Sequence, residues 1–218
     1  MKIKWLGHSG FKIDKIMVDP WTERIESMGV DAPYKLKKED ENIDAIVITH
    51  GHEDHYMGAW NLAKKTKATV VGTGETIMPA MSMGLKCEMM NIGGSVNAGG
   101  WKITLVYAAH TGNATGVILE KDDWVIYHAG DTGLFGDMEF IGKHYKPCIA
   151  ILPIGGRFTM DVSEATTAAQ LLGAKYVIPM HYNTFPMITA NPAEFKKNVE
   201  AHKKSEVRVM KVGEEIDF

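Results

Sequence analysis

Three histidines and an aspartate, all of types that bind transition metals, fall within six consecutive positions of this chain. They are His50, His52, Asp54 and His55, in the run Thr49-His50-Gly51-His52-Glu53-Asp54-His55. Imidazole nitrogen and carboxylate oxygen are donors that zinc, manganese, iron and cobalt accept. Histidines two apart in an extended turn can face one ion. Asp54 and His55, entering a helix, can be turned toward a second. A polar turn that merely meets solvent has no need of this density of ligand types. So short a run cannot complete two sites, and further ligands must arrive from elsewhere.

The chain offers them in matching places. His110 ends the apolar run 101–109, Asp131 follows Trp124–Tyr127 in His128-Ala129-Gly130-Asp131-Thr132-Gly133, and His181 follows Tyr176–Met180. Each stands just past the carboxyl end of a strand-like segment, as the first cluster stands past Ile43–Thr49. Four such ends predict one shared edge of a layered sheet structure. Further strands are expected at Ile3–Leu6, Lys12–Asp14, Ile16–Val18, Thr69–Gly72, Gly116–Glu120 and Ile149–Pro153, bounded by Gly, Asp, Asn and Pro. Helical patterns cover Asp54–Lys65, Asp137–Tyr145, Asp161–Leu172 and Asn191–Lys204. The third opens with Asp161 and Glu164 at capping-box spacing and closes at Gly173. The mix of strands and helices suggests an α/β or α+β layered architecture. The methionine-rich segment 78–90 reads as core or interface filler. The mixed-charge run Lys35–Asp44 reads as a solvated loop or helix end.

Composition bounds the function classes. The chain has 218 residues, 45% hydrophobic and 23% charged, which is ordinary for a globular protein and excludes wholesale disorder. We expect one domain spanning residues 1–218. A net charge of −3 lacks the basic surplus of a dedicated nucleic-acid binder. The two cysteines, Cys87 and Cys148, have no ligand spacing. No run is long and apolar enough for a membrane span, and the first residues enter a strand rather than a signal segment. A cytoplasmic location is expected.

The HxHxDH run, a later histidine, Gly130-Asp131-Thr132-Gly133 and a last histidine together resemble the metallo-β-lactamase fold superfamily. The resemblance covers essentially the whole chain. It is closest to a compact branch of metal-dependent hydrolases similar to the ascorbate-phosphate lactonases and, more distantly, to the N-acylphosphatidylethanolamine phospholipase D type. Trp5-Leu6-Gly7-His8-Ser9, Val18-Asp19-Pro20, Leu152-Pro153-Ile154-Gly155-Gly156 and the segment from Pro179 to Pro186 carry that closer match. The resemblance implies an α+β, four-layer αββα sandwich with metals at one edge. It implies one site from His50, His52 and His110, a second from Asp54, His55 and His181, and Asp131 bridging the two. Asp19 would support the ligand loop without binding metal. Departures narrow the reading. Exported β-lactamases of this fold usually have cysteine where Asp131 stands, and flavin-linked di-iron relatives have glutamate where His52 stands. The stretch after His181 leaves little room for the added domains of nuclease or glyoxalase relatives.

One or two divalent ions, zinc or manganese first and iron or cobalt next, would acidify a water from a pKa of ~15.7 toward ~7. Asp54 is the expected catalytic carboxylate, orienting that water and accepting its proton. His8 is expected at the mouth of the pocket, and Tyr182 as a donor to the developing oxyanion. Arg157, in a glycine-bearing loop, could hold a remote anion on a small-molecule substrate through paired hydrogen bonds. The expected activity is hydrolysis of an ester, lactone or phosphoester. A nuclease or phosphodiesterase acting on nucleic acid, or a metal-binding sensor without turnover, are the alternatives. His144 and His202 are expected on the surface, and His128 in the core or behind the ligands. The resemblance also allows a homo-oligomer.

Overall fold

Alternating side chains make the central strands into walls shared by two apolar environments. In the computed structural model, which describes residues 1–218, the first part of the chain forms β1 (Lys2–Gly7), β2 (Gly10–Ile13), β3 (Ile16–Val18) and β4 (Ala45–Val47). After them come α1 (Glu53–Tyr56), α2 (Ala59–Thr66), β5 (Thr69–Gly72), α3 (Gly74–Ser82) and β6 (Cys87–Met89). Ile16, Val18, Ala45 and Val47 point into the larger core, while Met17 and Ile46 point to the opposite face. There they meet Ala59, Leu62 and Ala63 of α2 and Ile77 and Ala80 of α3. This is the period-two rule of a strand at work in three-residue segments.

The second part repeats the plan. It contains β7 (Ser95–Ala98), β8 (Trp101–Tyr107), β9 (Thr115–Lys121), β10 (Trp124–His128), α4 (Met138–Tyr145), β11 (Ile149–Pro153), α5 (Val162–Leu172), β12 (Tyr176–Met180), α6 (Pro192–Ala201), β13 (Glu206–Val207) and β14 (Glu215–Asp217). The sheet orders are β14-β1-β2-β3-β4-β5-β6 and β13-β12-β11-β10-β9-β8-β7. Antiparallel hairpins open each sheet, and parallel crossover strands complete it. Two sheets pack face to face, with helices on both outer faces, giving the αββα sandwich of the α+β class. No helix is long and apolar enough to cross a membrane.

Each predicted strand is present, with ends shifted by up to a few residues. The helix expected over Asp54–Lys65 is two helices, because the chain turns through a left-handed Gly58 (φ 89°) between them. The box at Asp161 and Glu164 forms as expected: Asp161 Oδ1 accepts the Glu164 N–H at 2.9 Å. For the methionine segment the core half of the expectation is a correction. The segment runs from the second half of α3 through β6, and Met78, Met81, Met83 and Met89 are exposed, with only Met90 buried. Strands β6, β7, β13 and β14 were not foreseen, being short and carrying no continuous apolar run.

Candidate metal centre

Every strand that delivers a candidate ligand runs toward the same edge. β1 is parallel to β3 and β4 through two antiparallel steps, and β8 is parallel to β10 in the same way. His8, Asp19 and His50 therefore leave the first sheet where His110, Asp131 and His181 leave the second. Three of these strand-end residues adopt left-handed backbone: His8 (φ 52°), Asp19 (φ 47°) and His181 (φ 53°). Such conformations are sparsely populated by non-glycine residues and persist where surrounding contacts hold them.

Asp19 organises the first cluster from below. It is fully buried, and its Oδ1 accepts the Thr49 N–H at 2.8 Å. Its Oδ2 accepts the Thr49 hydroxyl at 2.7 Å and lies 2.8 Å from His55 Nδ1. His55 thus donates through Nδ1 and leaves Nε2 bare. The Thr49 hydroxyl spends its one proton on Asp19, so at 3.0 Å it can only accept from His50 Nδ1. His50 Nε2 is then also bare and faces the cluster. Fixing imidazole tautomers through the outward nitrogen is how metal-ligating histidines are oriented.

Asp131 reaches the middle from the other sheet. The preceding Gly130 (φ 60°) runs so close to β9 that an added Cβ would lie 2.5 Å from the Thr115 carbonyl and 3.1 Å from Thr49 Cβ. Asp131 Oδ2 stands 3.1 Å from His181 Nε2, 3.6 Å from His110 Nε2 and 4.0 Å from His50 Nε2. Its Oδ1 stands 3.3 Å from His55 Nε2. His52 Nδ1 lies 2.9 Å from His50 Nε2 and 3.3 Å from His110 Nε2. Three groups of ligand atoms come within 4.8 Å of one another: His50, His52 and His110; His8, Asp54, His55 and His181; and His50, His55 and Asp131.

The donor set suits a metal on two grounds. First, His55 Nε2 and Asp131 Oδ1 are buried with no hydrogen-bond partner. Buried polar atoms without a partner are rare because their desolvation is uncompensated. Second, atoms bound to one tetrahedral zinc at ~2.0–2.1 Å stand roughly 3.3 Å apart, and the separations here, from 2.9 to 4.0 Å, bracket that value. Electrostatics agree. Burial pushes His50 down to about 3 and His110 downward, which keeps both neutral as ligands must be. Burial alone would raise the carboxyls. The hydrogen bond from His8 and the nearby His55 hold Asp54 below the usual range, and His181 and His55 do the same for Asp131. His55 is the exception: burial opposes its charge, but Asp131 and Asp19 outweigh burial and raise that imidazole well above its ordinary value. Without metal it holds a second proton on Nε2 between the two carboxylates, and a metal would have to displace that proton to bind there.

Three expectations need correction. His8 is not at the mouth: it is 1% exposed, its Nε2 lies 2.9 Å from Asp54 Oδ2 and its Nδ1 lies 3.1 Å from Thr184 Oγ1. The left-handed turn at residue 8 swings its ring behind Asp54. Tyr182 faces the core, stacked on Trp5 with ring centroids 5.4 Å apart, and burial pushes its hydroxyl up to about 12. Its neighbour His181 takes the metal edge, so Tyr182 points the other way. Arg157 is exposed and lines no part of the pocket; its guanidinium lies 5.5 Å from the Phe158 ring centroid. Thr49 and Thr184 went unforeseen, since a hydroxyl beside a histidine carries no distinctive spacing. His128 is buried and bonded to the Ser9 carbonyl, while His144 and His202 are exposed, as expected.

A cavity of about 250 Å³ opens over the centre. His52, Asp54, His110, Asp131 and His181 form its floor, and Met28, Thr111, Phe158, Phe185 and Met187 form its walls. A wider cleft of about 710 Å³ adjoins it and shares His110 and Thr111.

Comparison with known proteins agrees with this geometry. A family described as the beta-lactamase superfamily domain matches residues 14–182. A UPF0173 metal-dependent hydrolase of Methanocaldococcus jannaschii is 43% identical over 225 residues, covering 99% of this chain and 100% of the relative. Another from Staphylothermus marinus is 44% identical over 228 residues, covering 99% and 98%. The solved structure of Igni18, a metallo hydrolase from Ignicoccus hospitalis, is 40% identical, with a TM-score of 0.86 over 100% of this chain and 98% of that one.

Proposed function

The chain belongs to the beta-lactamase superfamily domain family, and from that premise we propose that it is a metal-dependent hydrolase cleaving an ester, lactone or phosphoester bond of a small molecule. The observation that carries the reading is Asp131. Its two oxygens lie within 4.0 Å of His50, His55, His110 and His181, at the junction of the ligand groups. His50, His52 and His110 would hold one ion; Asp54, His55 and His181 would hold a second; Asp131 would serve both. Zinc or manganese suits this all-nitrogen-and-oxygen set, which contains no cysteine. Such ions supply an acidified water and polarise the carbonyl or phosphoryl oxygen under attack.

The chain's own groups do the rest. Asp54 is ionised and lines the cavity, so its carboxylate can accept a hydrogen bond from a water and orient it. Burial pushes His8 down to about 4, so His8 meets Asp54 as a neutral imidazole. Donating Nε2–H to Asp54 leaves Nδ1 to accept from the Thr184 hydroxyl, which fixes the ring and aims the carboxylate. The apolar walls restrict bulk water around the reacting groups.

The test is reconstitution. Chelator-stripped protein is loaded with zinc or manganese and assayed on p-nitrophenyl acetate, a five-membered lactone and bis(p-nitrophenyl) phosphate. Turnover of at least one class should return in proportion to bound metal and be lost in Asp131→Ala. Full metal occupancy with no turnover of any of the three classes would refute the reading.

A further inference from the structure

Remove from the cavity the residues that would hold metal, and its remaining walls are apolar but for Thr111. Met28, Phe158, Phe185 and Met187 converge from three separate segments: the connection between β3 and β4, the loop after β11, and the loop after β12. Met28, Phe158 and Met187 are 47%, 47% and 50% exposed. Phe185 lies deeper, stacked on Trp21 at 5.8 Å and edge-on to His8 at 5.4 Å. The only carboxylates in the cavity are Asp54 and Asp131, both assigned to the centre, and no lysine or arginine lines it.

Single exposed apolar residues are ordinary on a protein surface. Several from distant segments, gathered in a concave collar around a reactive centre, mark a binding wall. Thioether side chains add adaptability, because methionine repacks around differently shaped partners at little cost. Arg157 reinforces the collar from outside. Its guanidinium lies over Phe158, where a cation on the ring face steadies the ring orientation.

We propose that this collar binds an uncharged alkyl or aryl arm attached to the scissile group, so that the protein selects apolar substrates over anionic ones. The inference rests on the hydrolase reading and adds the substrate class. The reacting bond would sit over Asp54 and Asp131, and the arm would lie between Met28, Phe158, Phe185 and Met187. Each methylene enclosed should raise kcat/KM about fourfold, the value of one buried CH₂.

The experiment uses metal-loaded protein on p-nitrophenyl acetate, butyrate and hexanoate, and on the monoanionic hemisuccinate. Fluorescence titration with neutral N-phenyl-1-naphthylamine reads binding without turnover. From acetate to butyrate, two methylenes, kcat/KM should rise about fifteenfold, and the hemisuccinate should fall well below the butyrate. Phe158→Ala with Met187→Ala should compress the butyrate-to-acetate ratio to below threefold and weaken dye binding at least fivefold. Met187→Leu should keep both. The substituted side chains are half exposed, so folding should survive, and thermal melting checks this. A flat ladder, preference for the hemisuccinate, or a ladder and dye affinity unmoved by the double variant overturns the proposal. So does a double variant that converts an oligomer to monomer in sedimentation while leaving the ladder intact, which would make the collar an interface between copies. Failure to hydrolyse any ester, lactone or phosphoester, with dye binding still sensitive to the double variant, removes the hydrolase reading and leaves the collar standing.

Discussion

His8 acts from behind Asp54, and a substitution there separates orientation from metal binding. The imidazole is buried and holds the carboxylate at 2.9 Å. His8→Ala should lower kcat at least tenfold while bound metal, measured by atomic emission, falls little. His8→Gln keeps a donor of similar reach and should recover part of the loss. Equal losses of metal and kcat would place His8 among the ligands. Why the convergence of the seven candidate side chains is legible in the sequence while the directions of His8 and Tyr182 are not is a matter of backbone direction. Metal chemistry restricts residue type, so clustered histidines and aspartates announce themselves by identity and spacing. Where a strand-end side chain points depends on the next φ angle. At His8 and His181 that angle is left-handed, and no composition rule foretells it. Arg157 was placed near the right loop but one residue off: Phe158 faces the pocket. Arg157→Ala should therefore change KM for neutral and anionic esters by less than about twofold, as initial-rate kinetics would show; a larger rise for anionic esters alone would restore its expected role.

At the scale of elements, the centre depends on how closely the loop after β10 can lie against the end of β4. Gly130 permits the approach, since a Cβ there would collide with the Thr115 carbonyl. It also sits at φ 60°, where an L side chain is strained. Gly130→Ala should push Asp131 away from His181 and His55. We expect metal affinity to fall at least tenfold in competition with a chromogenic chelator, with far-ultraviolet circular dichroism unchanged; unaltered affinity would show that the loop adapts. Central strands were readable because their Ile, Val and Leu runs are unbroken, and α5 because its cap residues stand at diagnostic spacing. The α1–α2 break was not, because Gly58 inside a helical pattern is ambiguous until its φ is known. Nor was α3, whose Pro79 and exposed methionines mask the periodicity.

The whole molecule divides its ligands between its two sheets. His50, His52, Asp54 and His55 follow β4, while His110, Asp131 and His181 follow strands of the second sheet. Metal removal should therefore expose how far buried histidines burden the fold. His128 shows the sign. Its Nδ1 accepts the Gly130 N–H at 3.2 Å, so Nε2 donates to the Ser9 carbonyl at 2.9 Å and the ring is neutral. Burial lowers its pKa. Below about pH 6.5 the unfolded chain takes up a proton that native His128 refuses. The neutral ring's contribution is thus intact above that pH and is lost as pH falls toward the native value. In chelator, the urea midpoint should drop between pH 7.5 and 5.5, and His128→Gln should flatten that drop. An equal slope in both proteins would assign the effect to other groups, such as His8 and His50, whose values burial also lowers.

The return of β14 to β1 decides how the molecule would answer a mechanical pull. Lys2 opposes Asp217, Lys4 opposes Glu215, and Met1 and Phe218 exchange backbone hydrogen bonds at 3.2 and 2.9 Å. Tension applied between residues 1 and 218 acts on that ladder one rung at a time. It unzips the pair at low force instead of shearing all the bonds together. The first rungs to open lie at the end of β1 opposite His8, away from the metal edge.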